Sequence, residues 1–165
     1  MIVAVTALSV ACGSAPPHQK AAVARALVIR PPKDTVRFTV PAIASQCVGG
    51  TGHGLLLRGS SGGNGAILWL RTPDTLAAGT SPLLQRGDSV SPRGATVGVR
   101  FMVGDVAHGV ALDSGEVTVT ALRPSVTLVV RGTGLAVSAA GRVTAEVDFD
   151  GVPVGADTVS CRSRP

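Results

Sequence analysis

From Thr35 onward, apolar and polar residues alternate along the chain with a period of two. Val36, Phe38 and Val40 fall on one side, and Thr35, Arg37 and Thr39 on the other. Val97, Val99, Phe101 and Val103 alternate with Thr96, Gly98, Arg100 and Met102, and Val117, Val119 and Ala121 with Glu116, Thr118 and Thr120. Val126, Leu128 and Val130 share a face, and Val143, Ala145, Val147 and Phe149 alternate with Arg142, Thr144, Glu146 and Asp148. A strand turns successive side chains to opposite faces, so each segment is expected as an antiparallel strand with one face on a core. Leu55-Leu56-Leu57 and Ala66-Ile67-Leu68-Trp69-Leu70 break the pattern. Such uninterrupted apolar runs suit strands covered on both faces. Val159 to Cys161 makes a short final strand.

Turn residues punctuate these segments. Asp113-Ser114-Gly115, Arg123-Pro124, Gly132-Thr133-Gly134, Ala140-Gly141 and Asp150-Gly151 are expected between strands, and Asn64-Gly65 carries a strong hairpin signal. Only Thr72 to Gly79 reads as helical, with Thr72 as cap, Pro73 in the first turn and Gly79 as the stop. About eight to ten short strands joined by unequal loops indicate an all-β fold, an antiparallel Greek-key-like β-sandwich, with a closed β-barrel as the alternative.

Upstream of the alternation, Gly13-Ser14-Ala15-Pro16-Pro17 is turn-rich, Ala21 to Ile29 reads as a helical turn or two or an extended arm, and Pro31-Pro32 ends it. The expected division is residues 1–11 as a signal peptide, 12–34 as a tether and 35–165 as a single β-domain. Met1 to Ala11 is uncharged and almost wholly apolar. Such a stretch is too short to cross a bilayer as a helix, which needs about 20 residues, but suits the apolar core of a secretory signal. It ends in Ser9-Val10-Ala11-Cys12-Gly13-Ser14, and small residues just before a cysteine resemble the lipobox of bacterial lipoproteins. The resemblance covers about the first fourteen residues. It implies cleavage before Cys12, acylation of that cysteine, and a membrane-anchored protein of the cell envelope, on its periplasmic or surface face. Ser9 stands where the family favours Leu. No Lys or Arg precedes Lys20, so the true start is expected upstream of Met1. Simple cleavage with a free Cys12, and retention of the segment as a strand, are the other readings.

The chain has three cysteines: Cys12, Cys47 and Cys161. With Cys12 acylated, the other two bracket nearly the whole domain, and in an oxidising compartment such a pair closes into a disulfide. Two buried thiols or a metal pair are the rivals. Neither cysteine has a partner at zinc-ligand spacing.

The net charge is +5, and it is uneven. Lys20, Arg25, Arg30 and Lys33 face only Asp34 in residues 12–35, a basic stalk suited to anionic headgroups. With no Tyr, one Trp and three Phe, the chain has few platforms for stacking bases, and no basic cluster marks it as a nucleic-acid binder. The lipid bilayer, and an envelope protein or polysaccharide, are the expected partners.

Motifs for catalysis are sparse, and no cofactor or metal is expected. Gly59-Ser60-Ser61-Gly62-Gly63 formally matches a nucleophile elbow at Ser61, but an apolar strand follows where that motif needs a helix. Gly49 to Gly54 lacks the lysine of a phosphate loop. His53 and His108 sit beside glycines and could meet Asp105 or Asp113 in a weak acid–base or metal cluster. Asp148-Phe149-Asp150-Gly151 is a fragment of a calcium-loop pattern without its remaining ligands. Trp69 is expected in the core, with sugar stacking as its functional alternative. The leading expectation is a non-catalytic binding or structural β-domain. A hydrolase using Ser61 or a His53/His108 site, and a small-ligand carrier with a cavity inside a barrel, are the alternatives.

Overall fold

The computed structural model describes residues 21–32, 34–48, 53–136 and 141–161. Among these it contains nine strands and no helix. They are β1 (Val23–Arg30), β2 (Asp34–Val48), β3 (His53–Ser61), β4 (Asn64–Thr72), β5 (Gly79–Pro82), β6 (Gly94–Val103), β7 (Val106–Ala121), β8 (Ser125–Ala136) and β9 (Arg142–Ser160). Neighbours follow chain order from β1 to β4, then β6 to β9. β9 pairs back onto β1, so eight strands close into a barrel with antiparallel neighbours. β5 lies outside this ring as a short addition to β7.

The closed barrel replaces the expected sandwich. Asp113-Ser114-Gly115, Gly132-Thr133-Gly134 and Asp150-Gly151 are not turns between short strands but irregularities inside long ones. β7 has 16 residues, β8 has 12 and β9 has 19. Registers shift between Leu112 and Ser114 and between Val126 and Leu128. Such bulges bend strands and increase their twist, which lets a sheet curl until its edges meet. Gly115, at φ 127°, permits one of these bends. A Cβ there would fall 2.1 Å from the carbonyl oxygen of Arg131.

Two further expectations change. Val23–Arg30, read as part of the tether, is β1, wedged between β2 and β9. Its Ala24, Ala26 and Val28 are buried in the interior, and Arg25 stands outward. Thr72 to Gly79 is not helical; Thr72 Oγ1 instead accepts from the Asp74 amide at 3.4 Å, a local turn that competes with helix formation.

One continuous core fills the barrel, with Phe101, Phe149, Leu57, Leu68, Leu112 and Leu128 fully buried. Barrels of eight strands are just wide enough for side chains to fill. Toward one end, β9 leaves β8 and runs parallel to β2 from Val154 to Ser160. There Cys47 and Cys161, 114 positions apart, form the disulfide expected from the cysteine count. In the chain-entropy view, closing a loop of that size contributes about 4–5 kcal/mol.

Candidate binding site

The structure separates most of the residues in which catalytic chemistry was sought. Ser61 ends β3, and Gly62 and Gly63 make the β3–β4 turn with φ of 57° and 82°, leaving Asn64-Gly65 inside β4. Asn64 instead accepts the Met102 amide at 2.9 Å, tying the hairpin to β6. His53 begins the same strand that Ser61 ends. At about 3.3 Å per residue, the two lie roughly 26 Å apart. His108 stacks on Phe101 at 5.5 Å between ring centres, and Asp113 pairs with Arg142. Among the described residues no cluster of three His, Cys, Asp or Glu side chains could hold a metal. In the calcium-like fragment, Phe149 is buried, while Asp148 and Asp150 both receive Arg25, at 3.2 and 3.1 Å. Their hydrogen bonds, Asp150 foremost, raise the Arg25 pKa, so a guanidinium sits where a cation would have to bind. Cys12 and Gly49 to Gly52 lie outside the described residues.

What the structure does assemble is a trough on the outer face of β3, β4, β6 and β7. Pairing registers align Arg58, Ile67, Gly98 and Ala111 across these four strands. On either side of Ile67 along β4, Gly65 and Trp69 also face outward, next to Arg100 and Thr96 of β6 respectively. Gly98 leaves the notch: a Cβ there would come within 3.2 Å of Ile67 Cγ2. The outward members of the two apolar runs that broke the sequence alternation lie here, while Leu55, Leu57, Ala66, Leu68 and Leu70 face the core. Leu56 and Trp69 are half-buried and Ile67 is 47% exposed. Trp69 is thus not a core residue, because the register turns it outward.

The β3–β4 hairpin closes one end of the trough, and the segment carrying Leu84 and Arg86 walls the other. That segment is held by Asp88, which accepts from the amides of Val90 and Ser91 at 3.0 and 2.8 Å and from the Ser91 hydroxyl at 2.8 Å. Arg71 donates to the same carboxylate at 2.7 Å, and its guanidinium lies over the Trp69 ring, 5.3 Å from the centroid. Ser91, then Val90 and Arg71, hold the Asp88 carboxyl down at about 2. Trp69 in turn reaches toward the disulfide: a Cβ on the intervening Gly54 would lie 2.7 Å from Cys47 Cβ and 3.3 Å from Trp69 Nε1.

The trough encloses about 900 Å³ and is mainly apolar. Its charged lining residues are Arg58, Arg86 and Arg100, with no Asp or Glu among them. None of these three arginines joins an ion pair among the described residues. An apolar concavity with a few fixed polar groups is the usual form of a small-molecule site. Sequence reasoning missed the site as a whole, although the runs at Leu55 and Ala66 carried its signal. No protein-family description, curated protein or solved structure matches this chain.

Proposed function

We propose that this chain is a non-catalytic binding module of the bacterial cell envelope, held to a membrane through acylated Cys12, and that it takes its ligand in the outer trough. The observation that carries the reading is the contrast between the two faces of the sheet. Inside, Phe101, Phe149 and their neighbours fill the barrel. Outside, an apolar hollow lined by arginines, with no Asp or Glu among its described lining residues, faces solvent. The filled core argues against a carrier with its cavity inside the barrel, and the separation of Ser61 from His53 argues against a hydrolase that pairs them. The lipobox-like Ser9 to Ser14, the basic stalk and the disulfide favour export and anchoring.

Mass spectrometry of the protein isolated from its native membranes tests both halves. Under denaturing conditions, the expected mass is that of a chain starting at acylated Cys12, with one disulfide. Under native conditions, a bound species is expected on the wild-type chain and not on Gly98→Leu, whose side chain fills the notch. An unprocessed, reduced chain refutes the anchoring. A chain with no bound species, or one that Gly98→Leu retains, refutes the binding role.

A further inference from the structure

The trough's lining narrows its ligand to one chemical class, an inference that rests on the binding reading above. The strands forming its floor, β4 and β6, are hydrogen-bonded on both sides, so no sheet edge is open for a peptide to extend. An extended peptide lying there would leave its own amides and carbonyls unpaired against an apolar floor, which is costly. A sugar fits poorly too. One face of the sole Trp is covered by the Arg71 guanidinium, and the lining has no carboxylate to accept from hydroxyls.

The remaining features are uneven along the trough, with two arginines, Arg58 and Arg100, toward the hairpin and the single Arg86 on the opposite wall. Beside the hairpin, Gly65 of β4 sits without a side chain between Ser60 of β3 and Arg100 of β6, with Arg58 two pairs further along β3, opposite Ile67. Strands are spaced about 4.8 Å apart and rise about 3.3 Å per residue, so Arg58 and Arg100 lie diagonally across β4, roughly 12 Å apart, a gap that their side chains can span from both sides. Away from the hairpin, Ile67, Gly98, Ala111, Leu56, Trp69 and Leu84 make a continuous apolar bed. Two guanidiniums without an ion pair among the described residues, set at one end of an apolar bed, complement an anionic head carrying a hydrocarbon tail. We infer that the trough binds a free fatty acid as its carboxylate, with the head between Arg58 and Arg100 and the tail along Ile67 and Gly98 toward Trp69.

Trp69 lines the trough and is the chain's single Trp, so its emission reports on the site directly. The experiment uses the full chain carrying Cys12→Ser, so that no acyl group of its own competes. It is titrated with monomeric laurate, with dodecanol of the same chain length, and with vesicles of anionic phospholipid. Saturable laurate binding is expected, at least tenfold tighter than dodecanol. Arg58→Gln combined with Arg100→Gln is expected to weaken laurate at least tenfold while leaving dodecanol unchanged, and Gly98→Leu to abolish both with the circular dichroism spectrum retained. Equal affinity for dodecanol, laurate binding unaffected by Gly98→Leu, or binding to vesicles alone overturns the inference. Failure of laurate on a chain that still retains a native bound species sensitive to Gly98→Leu removes the fatty acid and leaves the binding module standing. Failure of both removes both.

Discussion

Asp88 shows how one carboxylate can hold a wall of the trough. Its four hydrogen bonds all favour the ionised form, and this lowers its pKa to about 2. Because the folded value lies below the unfolded one, the carboxylate's contribution to stability is complete above the ordinary value of about 3.9 and is lost as pH falls toward 2. The Leu84–Arg93 segment is therefore expected to loosen between about pH 4 and pH 2 while the barrel strands hold. Carboxyl NMR should place the Asp88 midpoint near 2, and Asp88→Asn should loosen the segment already at neutral pH. A midpoint near 4, or a segment unchanged in Asp88→Asn, contradicts the role given to these bonds. None of this was legible in the sequence, because Arg71 and Asp88 meet only through the path of the loop between β5 and β6.

At the scale of elements, periodicity was the most readable feature. The alternations at Val97, Val117, Val126 and Val143 correspond to β6, β7, β8 and β9, with the named apolar residues inward. What misled was glycine. A Gly beside Asp or Thr marks a turn and a bulge alike, since both need a backbone that other residues resist. Only the pairing partner tells them apart. At Gly115 that partner is Gly132, and the carbonyl of the neighbouring Arg131 approaches so closely that any side chain collides. Gly115→Val is expected to cost about 2–4 kcal/mol from combined strain and overpacking. Gly104→Ala, with φ of 57° and open space around it, is expected to cost about 1 kcal/mol. Urea unfolding of the two variants measures the difference, and equal losses would mean that the bend at Gly115 does not depend on glycine. The Val23–Arg30 strand was hidden for another reason. Its inward residues include two alanines, and its outward ones mix Arg25 with Leu27 and Ile29, so the alternation is weak.

For the molecule as a whole, closure decides where function can lie. A sandwich and a barrel can be built from the same alternating strands, and the choice rests on bulges that bend the sheet and on the return of β9 to β1. Once the ring is closed and its interior packed, the proposed ligand site falls on the outer face. The same outer face carries Leu56, Ile67 and Trp69, the residues that turn the runs at Leu55 and Ala66 continuously apolar and that alternation alone could not explain. The disulfide reinforces this division, since it ties the end of β9 to β2 beside the Trp69 end of the trough.

The most direct test of this division is a nuclear magnetic resonance map of the full chain carrying Cys12→Ser as laurate is added. The account predicts that the amides of Gly65, Ile67, Gly98 and Ala111 shift together and saturate, while the methyl signals of Val28, Leu128 and Val147 inside the barrel stay in place. Shifts centred on those interior methyls, or no saturable shift on the outer face, would contradict it.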